Sequence, residues 1–422
     1  MEAYVQALNY AIPFFVALIL IESVVANRMK ANVVRSMDTL SSLASGLTNV
    51  IKDVLGLTVI IVSYAWLEEH IALFEIKSTL MVYALAFLGK DFAGYWVHRI
   101  AHQVNYFWNH HIIHHSSEEF NLGCALRQSI SEWFSITFIF LIPIALIGVP
   151  AEVVAVISPL HLFAQYWYHT RLIGRMGFLE HIIVTPSHHR VHHAINEIYL
   201  DKNLSQIFIF WDKIFGTFQE ELEEVPPVYG VKRPVRTWNP FIINFVHLWQ
   251  LIKDSWHASN YWDKMRIWFM PTGWRPADVS EKYPLEVIED VYQYEKYNPR
   301  LSLTAQWWSW IQYLFIFVMT MYLFNTITTV GVPWMFAYGA FLFLCIYSMT
   351  MLMDKSRYAW VVESIKSLLG LIVIIQTGDW FGLSVYWELG VYLLAGYFIL
   401  SAVLVTYLTL TTLKEEPKLQ VA

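Results

Sequence analysis

Residues 98 to 115 read HRIAHQVNYFWNHHIIHH, a stretch that contains six histidines in 18 positions. Three histidine boxes occur along the chain: HRIAH at 98–102, HIIHH at 111–115 and HRVHH at 189–193. The first box has histidines at i and i+4, and the other two at i, i+3 and i+4, spacings that place side chains on one face of a helix. The eight box histidines are His98, His102, His111, His114, His115, His189, His192 and His193.

The clustering of the histidines favours metal binding over a purely structural role. Eleven of the 16 histidines fall between residues 98 and 115 or between 181 and 193. A structural role would require a separate partner for each partly buried imidazole beside a bilayer, where unsatisfied polar groups are costly. His110 and His188 adjoin the boxes but lie off the shared faces, so we do not predict them as ligands.

Ligand type and ligand number narrow the kind of metal site. Imidazole nitrogens suit Zn, Fe, Cu or Ni, so the ligands alone leave the metal open. A zinc site takes about four protein ligands, or about three with a water molecule. Eight box histidines exceed one such site and indicate two metal ions in one cavity. The chain contains no HExxH sequence, which argues against a zinc protease.

The composition is that of a membrane protein. Hydrophobic residues make up 56% of the 422 residues and charged residues only 15%, whereas soluble domains have about 25% charged residues. The sequence therefore predicts an all-α, polytopic integral membrane bundle with the histidine site at one membrane face. Nine apolar stretches approach the roughly 20 residues that span a bilayer: 9–26, 50–67, 78–97, 132–149, 151–168, 303–324, 332–352, 359–377 and 384–410.

The order of these stretches places all three boxes on one side of the membrane. Counting crossings from an outside amino end leaves residues 170–300 on the same side as the boxes. That segment carries most of the Lys and Arg, so the positive-inside rule predicts a cytoplasmic site, in a bacterial inner membrane or the endoplasmic reticulum. Stretches 132–149 and 151–168, joined at Gly148 to Pro150, form a predicted hairpin that either spans the bilayer or is half-inserted; both leave the sidedness unchanged.

Composition along the chain predicts a division into four segments. Residues 225 to 300 combine eight prolines with many Trp and Tyr, a composition typical of short interfacial helices and loops. The net charge of -6 gives no basic surface for nucleic acid, and we predict no nucleic-acid partner. The predicted division is 1–79 for amino-terminal transmembrane helices, 80–220 for the metal domain, 221–300 for interfacial helices and loops, and 301–422 for carboxy-terminal transmembrane helices.

The three boxes resemble those of the fatty acid hydroxylase and sterol desaturase superfamily of integral membrane di-iron oxygenases. Its H-x3-H, H-x2-H-H and H-x2-H-H boxes match this chain in order, spacing and position over roughly residues 80–220. Longer stretches are similar to the subgroup that cleaves the ether bond of glyceryl ethers, and the multi-span segment after residue 300 also fits it. Among them are DFAGYWVHRIAHQVN at 91–105, HHSSEEFNLGCALRQS at 114–129 and TPSHHRVHHAIN at 185–196.

The resemblance also implies roles for individual residues outside the boxes. Related hydroxylases carry a further histidine pair after the central hairpin, which here corresponds to Gln165 and His169, so His169 is a predicted ninth ligand. The ether-cleaving enzymes carry a glutamate after the second histidine of the first box, where this chain has Gln103. Polar residues near the boxes either hydrogen-bond the outer imidazole nitrogens or simply cap helices: Asp91, Gln103, Glu118, Glu119, Asn121, Gln165 and Asp201.

The resemblance implies a membrane monooxygenase in which two iron ions use O2 to hydroxylate an alkyl carbon of a lipid. The expected substrate is a glyceryl ether, cleaved to a fatty aldehyde and a glycerol derivative. The sequence has no GxGxxG fingerprint and no cysteine-rich iron–sulfur run, so an external donor must supply the electrons. The resemblance to the ether-cleaving subgroup implies tetrahydrobiopterin as that reductant, whereas a ferredoxin or a cytochrome would serve a sterol or fatty acid hydroxylase equally well.

Two other classes of function remain open at this point. The first is a hydroxylase or desaturase of the same superfamily that acts on a sterol, hopanoid, carotenoid or fatty acyl chain. The second is a non-enzymatic membrane metal sensor or transporter. A transporter predicts ligands that run through the membrane core, whereas an enzyme predicts ligands gathered at one place.

Overall fold

The computed structural model describes residues 2–58, 62–132 and 136–415 of the chain, with side chains from residue 9 to residue 411. These residues form α-helices and short 3-10 turns, together with two isolated β-bridges and no strand. The prediction of an all-α fold is confirmed.

The described residues contain sixteen α-helices. In chain order they are α1 (Glu2–Arg28), α2 (Ser36–Val54), α3 (Tyr64–Ile71), α4 (Leu80–Gln103), α5 (Asn105–His115), α6 (Thr137–Leu146), α7 (Ala151–Phe163), α8 (Pro186–His192), α9 (Phe210–Phe215), α10 (Pro240–His257), α11 (Tyr261–Arg266), α12 (Ala277–Lys282), α13 (Leu303–Val330), α14 (Trp334–Met353), α15 (Ala359–Thr377) and α16 (Leu383–Glu415).

Five of the described helices are long and apolar enough to cross a membrane. They are α1, from Asn9 onward, and the four helices α13 to α16 that end the chain. A helix of 20 residues is about 30 Å long, the thickness of the hydrocarbon core. The chain is therefore a multi-pass integral membrane protein; among the described residues, one candidate span precedes the histidine boxes and four follow them.

The span predicted at 50–67 does not form as one helix. Helix α2 ends at Val54, and Gly56 adopts a left-handed φ of +65° that stops the helix. A new helix, α3, begins after Ser63, whose hydroxyl accepts a hydrogen bond from the Trp66 amide. The buried side of α2 carries serine, threonine and aspartate, so this helix packs inside the protein. Residues 59–61 lie outside the described part of the chain.

The predicted hairpin at 132–168 consists of two short helices. Helix α6 has 10 residues and α7 has 13, so both are shorter than the hydrocarbon core. Gly148 forms the turn with a φ of +79°, and a Cβ there would lie 1.8 Å from the Phe74 carbonyl oxygen. The half-inserted alternative fits these lengths better than two spans. Residues 133–135, within the first predicted stretch, lie outside the described residues.

Two helical assemblies surround the histidines. Helix α4 forms one continuous helix over the predicted stretch 78–97 and packs against α5, α6 and α7. It is not among the five candidate spans. Helices α13 to α16 form the second assembly, against which α2 packs. Helix α10 packs along α5 and thereby supports the second histidine box from outside.

Candidate metal centre

Four segments bring the nine predicted ligand histidines together. Helix α4 carries the first box in its last two turns, and α5 carries the second box after a sharp turn at Val104. Helix α8 carries the third box, whose last histidine, His193, is the C-cap. The helix begins at Pro186, and its N-cap Thr185 forms a capping box with His188. His169 comes from the loop after α7. His188 therefore caps a helix and belongs to neither of the clusters described next.

The histidines form two adjoining clusters. The five-histidine cluster contains His98, His102, His111, His115 and His192. The four-histidine cluster contains His114, His169, His189 and His193. Within each cluster, one ring nitrogen from every histidine lies within 4.8 Å of the others. The clusters meet where the rings of His115 and His193 stack, with centroids 4.3 Å apart, so they line a single cavity.

The distances between ring nitrogens fit ligands that share a metal ion. In the five-histidine cluster, the Nε2 atom of His111 lies 2.9 Å from that of His98 and 3.1 Å from that of His115. In the four-histidine cluster, the His189 and His169 Nε2 atoms are 2.8 Å apart. With metal–imidazole bonds of about 2.05 Å, neighbouring nitrogens lie about 2.9 Å apart in octahedral and about 3.3 Å apart in tetrahedral coordination. The residues present therefore fit a metal.

The outer ring nitrogens indicate which tautomer each histidine adopts. In five of the nine, Nδ1 lies 2.7 to 3.3 Å from an oxygen acceptor, so in a neutral ring Nδ1 carries the proton and Nε2 has a free lone pair. The acceptors are the Leu204, Arg127, Tyr166 and Lys202 carbonyl oxygens and one Asp201 carboxylate oxygen. These contacts are the outer hydrogen bonds that orient metal-binding imidazoles.

Two further observations fit a bound cation. His114 and His169 both donate through Nδ1 to backbone carbonyls, and their Nε2 atoms face each other at 3.4 Å without a proton between them. The Nε2 atom of His192 is buried and has no hydrogen-bond partner among the described residues. A buried nitrogen without a partner carries a desolvation cost, which a metal–ligand bond would remove.

Burial keeps His98, His114, His169 and His193 uncharged. Burial, together with a smaller effect of nearby imidazoles, lowers the pKa of His98 and of His114 to about 3. Burial likewise holds the pKa values of His169 and His193 well below the ordinary value of 6.5. Neutral imidazole is the metal-binding form, so these rings can coordinate at neutral pH without losing a proton.

Four polar residues predicted to support the ligands have other partners. Asp91 accepts from the Ile207 amide and lies 2.8 Å from His161 Nε2. Gln165 also contacts His161, and Asn121 donates to the Val33 carbonyl oxygen. Gln103 is exposed, and its side chain accepts from Arg99. Among the described residues, none of these four side chains hydrogen-bonds to a cluster histidine, because each is directed toward the other partners just named.

The remaining candidates differ from one another. Asp201 contacts His102, as stated above, with a left-handed φ of +55°. Glu118 accepts from Tyr294, and Glu119 forms ion pairs with Arg35 and Lys296. The two glutamates therefore fasten the segment after the second box to distant parts of the chain.

Sequence reasoning missed most of the groups that hold the ligands. Four of the five outer acceptors are backbone carbonyls, which leave no trace in residue identity. The Leu204 carbonyl is positioned because the Asp212 carboxylate accepts from the Leu204 and Ser205 amides at 2.7 and 2.9 Å. The buried pair of His161 and Asp91 was also missed. The sequence offers only one signal that His161 has a role, namely its i, i+4 spacing to Gln165, which contacts it in the structure.

Aromatic rings separate the clusters from solvent. Phe120 stacks on Tyr229 at 5.1 Å and lies 5.2 Å from the His193 ring. Tyr168 covers His189 at 4.4 Å, and Trp108 lies 5.3 Å from His102. Aromatic carbon therefore packs around the two imidazole clusters and shields them from water.

Comparison with known proteins identifies this arrangement. The Fatty acid hydroxylase family matches residues 83–217, the part of the chain that holds all three boxes. Human alkylglycerol monooxygenase is 33% identical over 365 residues, which cover 86% of this chain and 81% of the human protein. The chain belongs to the alkylglycerol monooxygenase family. The prediction that it is an enzyme, a membrane lipid monooxygenase, is confirmed.

Two further relatives extend the comparison. The zebrafish (Danio rerio) alkylglycerol monooxygenase is 36% identical over 279 residues, 65% of this chain and 61% of that protein. Ornithine lipid hydroxylase OlsE of Rhizobium tropici is 27% identical over 157 residues, 37% of this chain and 45% of that protein. No solved structure shows a significant match to the chain.

Proposed function

We propose that the nine clustered histidines hold two iron ions and that the enzyme uses O2 to hydroxylate the carbon next to the ether oxygen of a glyceryl ether. The observation that carries the proposal is the pair of clusters, each with the nitrogens of four or five neutral imidazoles within 4.8 Å of one another. The similarity to alkylglycerol monooxygenases over most of the chain supports the ether substrate.

The protein's part in the reaction is to orient the metals and to exclude water. When bound, the iron ions would supply the oxidising power that inserts one oxygen atom of O2 into a C–H bond. The outer carbonyls fix the imidazoles, since each holds one Nδ1 proton. The aromatic rings of Phe120 and Tyr168 keep water from the cavity and leave room for an alkyl chain.

The proposed conversion balances without a protein nucleophile. Hydroxylation takes up one O2, two electrons and two protons, and releases one water molecule. The product carries a hydroxyl on the carbon bonded to the ether oxygen and is therefore a hemiacetal. Its carbon–oxygen bond then breaks as the hydroxyl proton passes to the leaving oxygen, giving a fatty aldehyde and a glycerol derivative.

The electrons come from an external donor, and we propose a reduced pterin such as tetrahydrobiopterin. Support comes from the resemblance to the ether-cleaving enzymes and from the sequence, which shows no flavin, nicotinamide or iron–sulfur signature. We place the site on the cytoplasmic face. With α1 as the one span before the boxes, the histidines lie on the side of Arg28, Lys30 and Arg35, and the four later spans return the chain to that side.

A second candidate function is hydroxylation of another lipid, such as a sterol, hopanoid, carotenoid or fatty acyl chain, without cleavage. The similarity to an ornithine lipid hydroxylase over 157 residues favours keeping it. The presence of Gln103, where the ether-cleaving enzymes carry a glutamate, does not decide between the two functions. The Gln103 side chain accepts a hydrogen bond from Arg99 rather than from a histidine. A transporter is disfavoured, since the nine histidines gather in one cavity and none lies in the five candidate spans.

One experiment tests the metal and the substrate together. The full chain is purified in lipid nanodiscs, its iron content is measured, and it is incubated with an alkylglycerol, reduced pterin and 18O2. We expect about two iron ions per chain and a fatty aldehyde. The aldehyde is reduced at once with borohydride to the fatty alcohol, which keeps its oxygen, and mass spectrometry of that alcohol shows whether the label from O2 was inserted. Oxygen consumption with a stable hydroxylated lipid and no aldehyde would favour the second function.

A further inference from the structure

Helix α10 buries four polar residues beside Ile243 and Leu251, and its exposed face is mainly apolar but includes Lys253. Asn244, His247, Gln250 and Asp254 are all buried against the protein. The opposite face carries exposed Trp249, Ile252 and Trp256, the last 79% exposed. A helix at a water-exposed surface shows the reverse arrangement, with apolar residues inward. The exposed tryptophans of α10 therefore fit a surrounding that is at least partly apolar.

Hydrogen bonds inside the protein fix the rotation of α10. The Asn244 side chain accepts from the Ile130 amide at 3.0 Å, and His247 Nε2 lies 3.0 Å from the Asn105 carbonyl oxygen. Asp254 forms a buried ion pair with Arg275 at 2.6 Å. Turning the helix to bury its tryptophans would leave these polar groups without partners, which is unfavourable for buried groups. The outward position of the aromatic residues is thus enforced.

The apolar surface continues onto α11 and the turn after it. Tyr261 is 83% exposed, and Met265 and Phe269 are exposed beside it. We call the six residues Trp249, Ile252, Trp256, Tyr261, Met265 and Phe269 the aromatic face. Tryptophan and tyrosine concentrate where a protein meets the headgroup region of a bilayer. Helix α10 has 18 residues and is not among the five candidate spans, so it fits a position in the interface plane.

The aromatic face is continuous with a membrane-spanning helix. Phe241, in the first turn of α10, packs against Phe343 and Tyr347 of α14, with ring centroids 5.6 and 6.0 Å apart. Both residues of α14 lie within about three turns of its end at Met353. Helix α10 therefore begins beside the carboxy-terminal half of a candidate span, and just before it the Trp238 amide donates to the Asp354 carboxylate, at the end of that span, at 2.7 Å.

A groove with a lysine at its edge opens between α10 and α11. Its volume is about 320 Å³, and it is lined by Ile252, Ser255, Trp256, Lys264 and Trp268. The Lys264 ammonium donates to the Trp256 carbonyl oxygen at 2.9 Å, which holds the charge at the groove. Apolar walls beside one fixed ammonium match a phosphate joined to acyl chains. A lysine near a membrane surface attracts anionic lipid by about 1 kcal/mol.

We propose that the aromatic face lies in the boundary between headgroups and acyl chains, and that the groove at Lys264 binds the phosphate of an anionic phospholipid. The segment after α11 is joined to the turn between the first two histidine boxes. The Tyr106 amide donates to the Trp268 carbonyl oxygen at 2.9 Å, and the Asn105 amide to the Met270 carbonyl oxygen at 3.0 Å. These two hydrogen bonds connect the aromatic face to the segment that carries the histidine boxes.

Depth measurements test the membrane position. Tyr261→Cys is labelled with a nitroxide, while the two natural cysteines, Cys124 and Cys345, are buried and stay unlabelled. In phosphatidylglycerol nanodiscs we expect relaxation of this label by dissolved oxygen to exceed relaxation by a water-soluble nickel complex. The control is Glu224→Cys, in an exposed acidic loop, where nickel should dominate.

Two results would overturn the membrane position. Equal nickel access at residues 261 and 224 would mean that the aromatic face meets water. Protection of residue 261 from both reagents, together with disulfide crosslinking between two chains at that cysteine, would mean that a second copy of the chain covers it. Neither result depends on enzymatic activity.

Native mass spectrometry tests the groove. In detergent, we expect the chain to retain phosphatidylglycerol in preference to phosphatidylcholine. Lys264→Gln should reduce that preference about fivefold, the ratio that corresponds to one interfacial charge. Lys282→Gln, which removes an exposed lysine on α12, serves as the matched control and should leave it unchanged. Equal retention of the two lipids, or a preference that survives Lys264→Gln, would contradict the proposed phosphate site.

Discussion

At the scale of single residues, the proposed metal ions would bind the Nε2 atoms of rings that are held at Nδ1. His192 has its Nδ1 atom 3.0 Å from the Lys202 carbonyl oxygen, while its buried Nε2 atom has no hydrogen-bond partner among the described residues. His114 has its Nδ1 atom near the Arg127 carbonyl oxygen, so its Nε2 lone pair also points into the cavity. Each residue belongs to a different cluster, which allows the two clusters to be tested separately.

Replacing either histidine with alanine should abolish activity and lower the iron content. His192→Ala should affect the five-histidine cluster and His114→Ala the four-histidine cluster, with membrane insertion and purification yield unchanged. Iron per chain and aldehyde formation are the measurements. His110→Ala provides the control, because His110 contacts Tyr106 and Phe107 and belongs to neither cluster. Full activity in either ligand variant would exclude coordination by that residue.

The Asp201 carboxylate should tune the centre without binding metal itself. One of its oxygens lies 3.2 Å from His102 Nδ1, and the residue adopts a left-handed φ that glycine and asparagine tolerate. Asp201→Gly removes the acceptor and should lower activity or iron affinity about 10- to 100-fold. Asp201→Asn keeps an oxygen acceptor and should retain most of both. Equal losses in the two variants would show that the acceptor oxygen does not matter.

The sequence predicted which histidines lie close together better than it predicted the groups that hydrogen-bond their outer ring nitrogens. The spacing within HRIAH, HIIHH and HRVHH indicates a shared helical face, and the structure places those histidines around one cavity. The outer partners could not be predicted, because most are backbone carbonyls whose position depends on tertiary folding. Asp91 illustrates the limit. Its position near the first box suggested support for a ligand, but the helix turns it toward His161 and the Ile207 amide.

At the scale of helices, α1 is more than a membrane anchor. Its Glu22 is buried, and one carboxylate oxygen accepts from the Thr170 hydroxyl at 2.6 Å. The other oxygen accepts from the Leu122 amide at 2.7 Å. Thr170 follows the predicted ligand His169, and Leu122 lies in the segment after the second box. Glu22 therefore joins two loops of the site from outside residues 83–217, the segment that matches the family.

Glu22→Ala should disturb the four-histidine cluster. It removes both acceptors and leaves a buried hydroxyl and a buried amide unsatisfied, so the loop that carries His169 loses its support. We expect less iron per chain and a slower reaction. Glu22→Gln, which keeps one acceptor oxygen, should lose less. Ser23→Ala is the neighbouring control, since the Ser23 hydroxyl donates only within its own helix. Unchanged iron content in Glu22→Ala would exclude this role for α1.

Hydropathy alone indicated nine apolar stretches that approach the length of a span, whereas five of the described helices are long and apolar enough to cross a membrane. The stretch 50–67 is apolar enough to suggest a span, but Gly56 and the Ser63 cap divide it into separate helices. Stretches 132–149 and 151–168 contain described helices of 10 and 13 residues, which are shorter than the hydrocarbon core and pack beside α4. The four carboxy-terminal spans were predicted well because each is a long apolar helix that ends at glycine, proline or charge.

At the scale of the whole molecule, one buried ion pair links all four carboxy-terminal spans. Glu363 and Lys366 of α15 are fully buried and bonded to each other. The same carboxylate accepts from Gln312 of α13 at 3.1 Å, from Ser348 of α14 at 2.6 Å and from Ser401 of α16. Charged groups inside a membrane bundle are costly unless they are paired, so this network requires one arrangement of the four helices.

Breaking this pair should therefore destabilise the carboxy-terminal bundle as a unit. Lys366→Met leaves a buried carboxylate without its cation, and removing one partner of a buried ion pair costs about 3 to 5 kcal/mol. Adding Glu363→Gln to this variant removes the stranded charge while keeping an oxygen for the serines, so the double variant should recover most of the loss. The measurement is the unfolding midpoint in detergent. If the double variant is no more stable than Lys366→Met, the charge of Glu363 is not what the lysine compensates.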